Sequence, residues 1–279
     1  MAEFDHSMKI ITDSSGRELA RLAGVNCQRL RPVESTVART TELLADRAFR
    51  ATWRRERFVL YFEFYTRWDR NAPWDMLAKS GFLSQREHLP TVCLAFILLP
   101  RGYRSHNGQM RLTAAGGPTQ HLWFREIPLW EQDPQPWWEE VPGLMALYPL
   151  CRHRQRPHDA IQHAVGVIEA HTPDTPARAD FLAYLNTFGQ LAFPRVDVET
   201  IIGSEKMKES PFLRKVMNIG RIEEKRTDIL IILKRRFGDE AAGALAPQLD
   251  ECTDLKRLKQ LLELALDCAT LQEFRNALP

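Results

Sequence analysis

The chain reads as an α/β protein with a mixed central sheet flanked by helices, followed by an α-helical C-terminal region. Three observations predict this. Residues 58–65 (FVLYFEFY) and 91–99 (TVCLAFILL) are two almost wholly apolar runs of strand length, the pattern of strands covered on both faces. One helical stretch separates them, which makes them parallel neighbours joined by a crossover. Beyond residue 150 the apolar residues recur at helical spacing to the end of the chain.

Residues 4–23 predict a first helix through Phe4, Met8, Ile11, Leu19 and Leu22, with a break at Ser14-Ser15-Gly16. Residues 26–41 are mixed and polar, a loop with room for one strand. From Asp46 to Trp53 apolar Phe49, Ala51 and Trp53 alternate with Asp46, Ala48, Arg50 and Thr52, and the tetrapeptide 54–57 (RRER) then leads into the 58–65 run. This is a β-hairpin pattern. With the turn centred near Arg55 and Glu56, Ala48 falls opposite Glu63 and Asp46 opposite Tyr65. Asp46 and Glu63 then become diagonal neighbours on one face, a Cα separation of about 7–8 Å.

Glu63 is the one acid in its strand, and a lone carboxylate inside a sheet is expensive unless a cation or a partner meets it. Two explanations stand side by side: a divalent metal shared with Asp46, or an ion pair with Arg50 on the same hairpin face. Residues 73–89 predict the crossover helix, with Trp74, Leu77, Ala78 and Phe82 as its apolar stripe, and Pro100 closes the strand after it. A glycine-rich loop through Gly116-Gly117 leads to a further strand over 121–129, for at least four strands in all. Residues 131–143 are proline-rich and end the first structural unit.

Helices follow over 159–171 and 177–191, with TPDTP at 172–176 between them. Ser210-Pro211 starts a long helix whose loose stripe from Phe212 to Phe237 stops at Gly238. Two short helices come after it, one capped by Thr253 and one by Thr270. The domain division is 1–150, a helical extension over 151–203, and a small α-helical unit over 204–279, whose apolar stripes are candidates for self-association.

Thirty-eight Lys and Arg against 36 Asp and Glu leave a net charge of +2, so a polyanion-binding surface would have to be local. Arg47, Arg50, Arg54, Arg55 and Arg57 supply one: they crowd the hairpin and would attract phosphates, or else solvate and protect a sheet edge. Five scattered cysteines without a C-x-x-C pair argue against a disulfide framework and a zinc knuckle, and fit a reducing, cytoplasmic setting. No apolar run reaches the roughly 18 residues of a membrane span, and the first residues lack the apolar core of a signal peptide.

The ordered set Asp46, Glu63-Phe64-Tyr65, Asp69, TVCLAFILLP at 91–100, REIPLWEQ at 125–132 and PGLMALYPL at 142–150 resembles the Rpn/YhgA-like family of recombination-promoting nucleases and transposase-related proteins, within the PD-(D/E)XK nuclease superfamily. The likeness covers residues 4–150, and the last 60 or so residues resemble the small helical domain that often ends bacterial members. It implies a restriction-endonuclease-like fold and a DNA endonuclease that hydrolyses phosphodiester bonds with Mg²⁺, or Mn²⁺ in its place. Carried across, Asp46 and Glu63 become the metal ligands and Asp5 the acid of the first helix. Tyr65 stands where the family has Lys or Gln, and a phenol is a bulkier and weaker partner for the attacking water than either. A catalytically silent nuclease fold that binds DNA or a protein is therefore the alternative.

Overall fold

The 58–65 run is the spine of a six-stranded sheet. The computed structural model describes residues 2–32, 47–114, 117–173 and 176–278. Within them, β1 (Arg29–Pro32), β2 (Arg47–Trp53), β3 (Glu56–Tyr65), β4 (Thr91–Ile97), β5 (Gln109–Ala114) and β6 (Gly117–Pro128) lie in the order β1-β2-β3-β4-β6-β5. The β1–β2–β3 meander is antiparallel, β3, β4 and β6 run parallel, and β5 returns antiparallel to β6. The crossover from β3 to β4 is made by α2 (Ala72–Glu87), which packs on both strands. With helices added on its faces, the sheet gives the mixed α/β architecture that the two apolar runs predict.

The hairpin differs from the sequence expectation in register. Arg54 and Arg55 form a two-residue turn with φ of 46° and 74°, so Trp53 faces Glu56 and Ala48 faces Tyr61 rather than Glu63. Two-residue loops with both φ positive match the right-handed twist of the strands they join. Arginine is not a residue that signals such a turn, which is why the sequence places it a residue too late. The register moves by two positions, so each residue keeps its face.

Each face of β3 is buried differently. Phe62 and Phe64 join Phe49 and Phe96 in an aromatic layer, Phe49 meeting Phe62 edge-on at 5.7 Å and Phe64 meeting Phe96 at 5.6 Å between ring centres. Helix α1 (Ala2–Leu22) approaches this side closely: a Cβ on Gly16 would lie 3.0 Å from Leu30 and 3.6 Å from Phe49. It bends at Ser15, whose φ of −132° is not helical, at the break that the Ser-Ser-Gly triplet predicts.

On the other face Val59, Tyr61, Cys93, Ala95, Leu122 and Phe124 pack with Met76 and Leu83 of α2. The helix turns a different stripe inward from the predicted one: Ala72, Met76, Ser80 and Leu83 are buried, while Trp74 is 52% exposed. Both stripes of α2 are apolar, so periodicity alone does not choose between them.

Strand β5 is not foreseen in the sequence reading, although QMRLTA alternates Met110, Leu112 and Ala114 with Gln109, Arg111 and Thr113. After the sheet come α3 (Pro142–Met145), α4 (Pro157–His171), α5 (Pro176–Ala192) and α6 (Val198–Ile202). Gly189 lets α5 meet its neighbours, since a Cβ there would sit 2.8 Å from Val198 and 2.9 Å from Ile161.

The chain divides into two units, Met1–Ser210 and Pro211–Pro279. The second is α-helical: α7 (Pro211–Phe237), α8 (Asp239–Glu251), α9 (Leu255–Asp267) and α10 (Leu271–Asn276) close on Ile229, Leu233, Leu245, Leu249, Leu258, Leu261 and Phe274. Helix α8 fills a stretch to which the sequence reading assigns no element, and Pro247 lies inside it. Helix α9 is capped by Asp254, not Thr253, its side chain accepting from Lys256 N. Thr270 caps α10 as predicted. Arg236 of α7 donates to the carbonyls of Ala265 and Cys268, each at 2.6 Å, satisfying acceptors at the end of α9. Among the described residues no helix is long and apolar enough to cross a membrane.

Candidate functional site

Glu63 is 4% exposed and lies near the carboxyl end of β3, on the face covered by α2. Among the described residues its partners are Lys79 and Tyr61, not Arg50. Lys79 reaches down from α2 and places Nζ 2.7 Å from Glu63 Oε1, with its own side chain 18% exposed. Tyr61, two residues earlier on the same face, donates its hydroxyl to the same oxygen. Arg50 instead pairs with the buried carboxylate of Glu87 at the end of α2.

Burial first, and the charge of Glu63 second, push the Tyr61 phenol well above its ordinary range, so it stays a proton donor at any physiological pH. Cys93 faces Tyr61 from β4, and burial pushes its thiol up to about 12. These groups form one buried polar cluster in which a carboxylate, an ammonium and a phenol satisfy one another.

Register across the parallel strands sets a second acid in the same row. Glu63 pairs with Ala95, and Ala95 with Glu126, so the two carboxylates share a face with the smallest side chain between them. Two strand spacings separate their backbones by about 10 Å. Glu126 already has donors: Tyr103 Oη at 2.6 Å, Ser105 Oγ at 2.7 Å and the His106 amide at 2.8 Å. It clamps the loop between β4 and β5 onto the sheet. Burial, then the hydrogen bond to Glu126, push the Tyr103 phenol up to about 12.

Of the other residues expected at the site, Asp46 lies outside the described residues, and for Asp5 only its helical backbone in α1 is described. Tyr65 follows Glu63 on the same face at the end of β3 and meets Trp68 edge-on at 5.2 Å. Among the hairpin arginines, Arg47 faces the α1 side and binds Asp13 through two hydrogen bonds of 2.7 and 2.8 Å. Arg54 lies over the Trp53 ring at 5.3 Å. Arg50, Arg55 and Arg57 line one pocket, joined there by Arg29 and Arg31 from β1.

The chain matches no family model, no curated protein and no solved structure. Among the described residues no group of three or more His, Cys, Asp and Glu is arranged to hold a metal ion. Glu63 offers the hard oxygen that Mg²⁺ takes, and Mg²⁺ uses one or two carboxylates with water and phosphate completing its shell.

Sequence reasoning misses Lys79, Tyr61 and Glu126. Lys79 carries a readable signal: it stands between Met76 and Leu83 at i+3 and i−4, a cation inside the buried stripe of an amphipathic helix.

Proposed function

We propose that the chain is a metal-dependent phosphodiesterase acting on DNA, with Glu63 and Lys79 at its centre. One observation carries this reading: an acid and a lysine meet at 2.7 Å near the carboxyl end of the central parallel strand, the end at which open α/β sheets bind ligands. The family pattern needs a carboxylate for the metal and a cationic or polar group for the water and the phosphate. Tyr65 does not supply the latter, but Lys79 stands beside the carboxylate and carries a charge suited to it. The element order, α1, an antiparallel β1–β2–β3 meander, α2 and a parallel β4, supports a restriction-endonuclease-like core.

Glu63 and Asp46 would hold Mg²⁺, with Asp5 as the further acid that the family pattern asks for, and the bound ion would supply a water of lowered pKa and positive charge for the phosphate. The protein's own groups have separable tasks. Tyr61 keeps its proton and orients Glu63. Lys79 holds a positive charge at the carboxylate, from which its ammonium can turn to a phosphate oxygen, since three donors rotate on a flexible stem. Ala95, fully buried, stands between Glu63 and Glu126 and sets the two acids in one row.

The test is relaxation or linearisation of supercoiled plasmid in Mg²⁺ and in Mn²⁺. Glu63→Ala should abolish cleavage, and Lys79→Met should lower it by about 10²-fold, as expected for loss of one charged stabiliser of the transition state. No cleavage by the parent protein, or cleavage unchanged in Glu63→Ala, sinks the proposal.

Tyr65 motivates a second reading, in which the fold binds DNA without cutting it. That reading predicts metal-independent binding with no turnover, and cleavage gained by Tyr65→Lys would mark the phenol as the missing element.

A further inference from the structure

The pocket on the hairpin is built almost wholly of arginine. Arg29 and Arg31 come from β1, Arg50 and Thr52 from β2, Arg55 from the turn and Arg57 from β3, around a cavity of about 520 Å³. Register explains why they converge. Arg29 faces Thr52, which faces Arg57, and in the next row Arg31 faces Arg50, so all point to the face of the sheet that carries Glu63.

Four of the five guanidiniums, all but Arg50, have no acidic partner among the described residues, and all five arginines are exposed. Like charges gathered this closely repel one another in the free protein. A bound anion converts that repulsion into attraction.

We propose that this pocket grips the phosphate backbone of DNA at a second position, away from Glu63. The charges are laid out as an extended ladder: successive same-face positions on a strand are about 6.6 Å apart, and neighbouring strands about 4.8 Å apart. Such a ladder suits a linear polyanion with repeating charges better than one compact anion. Among the described residues no aromatic side chain and no acid lines the pocket, so its lining offers no platform for stacking bases, and its charges suit the phosphate backbone. Thr52, between Arg29 and Arg57, adds a hydroxyl donor to the middle of the row.

Arg57 and Glu63 are six residues apart on β3, about 20 Å, which is roughly six base pairs of duplex at 3.4 Å each. The choice of DNA as the polymer rests on the phosphodiesterase reading; the anion site itself does not.

Binding of a fluorescent 30-base-pair duplex is measured by anisotropy in EDTA, so that no cleavage intervenes, across a series of salt concentrations. The expected result is that Arg29→Gln/Arg31→Gln/Arg57→Gln weakens binding at least tenfold and flattens the plot of log K against log salt by about 2 to 3, close to 0.9 for each phosphate that is no longer neutralised. Arg154→Ala, an exposed arginine outside the pocket, serves as the control and should leave both quantities unchanged.

Unchanged affinity and slope in the triple variant, with its far-ultraviolet circular dichroism intact, overturn the proposal. So does tripolyphosphate displacing the duplex at equimolar concentration, which would make the pocket a compact-anion site. Glu63→Gln that binds duplex normally but fails to cut it supports the grip and the phosphodiesterase reading together. A parent protein that binds through these arginines and never cuts keeps the grip and removes only the phosphodiesterase reading.

Discussion

Replacing Lys79 by methionine strands Glu63 in the interior. The two side chains are 18% and 6% exposed and their charged atoms lie 2.7 Å apart. At an effective dielectric of about 20 their gross attraction is about 6 kcal/mol, and most of it offsets the desolvation of both groups. Breaking a fully buried pair from one side loses about 3–5 kcal/mol. Lys79 retains some solvent and Tyr61 still donates to the carboxylate, so the low end, about 3 kcal/mol, applies.

Glu63→Gln leaves the ammonium partly hydrated and keeps an acceptor for Tyr61, for a loss of about 1–2 kcal/mol. Because both single variants lose the same interaction, Glu63→Gln/Lys79→Met should lose about 2–3 kcal/mol rather than the sum, a coupling of about 2 kcal/mol. Urea unfolding followed by tryptophan emission reads this directly, since all seven tryptophans lie between Trp53 and Trp138 in the first unit. For Lys79→Met the melting temperature should fall by about 6–12 °C, at about 2–4 °C per kcal/mol for a unit of this size. Single-variant losses that add to within about 0.5 kcal/mol would refute the argument that Glu63 is held by Lys79.

Two further predictions concern a glycine before β5 and the phenols of the first unit. Gly108 has φ of +66°, and a Cβ there would lie 2.6 Å from the carbonyl oxygen of Phe124; Gly108→Ala combines backbone strain with a clash and should lower stability by about 1–3 kcal/mol in the same urea assay, whereas a neutral outcome would mean that the β5–β6 end is loosely held. Burial and a neighbouring carboxylate's charge raise the phenols of Tyr61, Tyr103, Tyr148 and Tyr184 above their ordinary value. A group raised in the folded state lends full stability below its unfolded pKa of about 10 and loses it as pH climbs to the folded value. For Tyr103 the window runs from there to about 12, and absorbance at 295 nm should show Tyr61, Tyr103 and Tyr184 still protonated at pH 10 in the folded protein.

What could be read from sequence was whatever depends on residues close together in the chain. The runs at 58–65 and 91–99 announce strands buried on both faces, one helix between them forces the parallel crossover, and Ser14-Ser15-Gly16 marks the bend in α1. What depended on tertiary choice could not be read. The apolar stripes of α2 are equivalent until the sheet selects Met76 and Leu83, and that selection is what brings Lys79 to Glu63. Arg29 and Arg31 sit in a stretch too short and polar to announce a strand, so the arginine pocket shows only three of its five members in the hairpin sequence. Glu126 lies 63 residues beyond Glu63, and only the stacking of β3, β4 and β6 sets them in one row.

The hairpin tip has a consequence for anyone who would engineer this protein. Arg54 and Arg55 both adopt positive φ, a conformation that disfavours side chains with a Cβ by roughly 1–2 kcal/mol per residue and that Asn-Gly adopts readily. A stabilised variant would therefore begin by replacing these two residues. Arg55 is also a wall of the arginine pocket, so the substitution that relaxes the backbone removes a cation from the surface that most needs it. Screening at that turn for thermal stability alone would select against anion binding, and the two properties should be scored together.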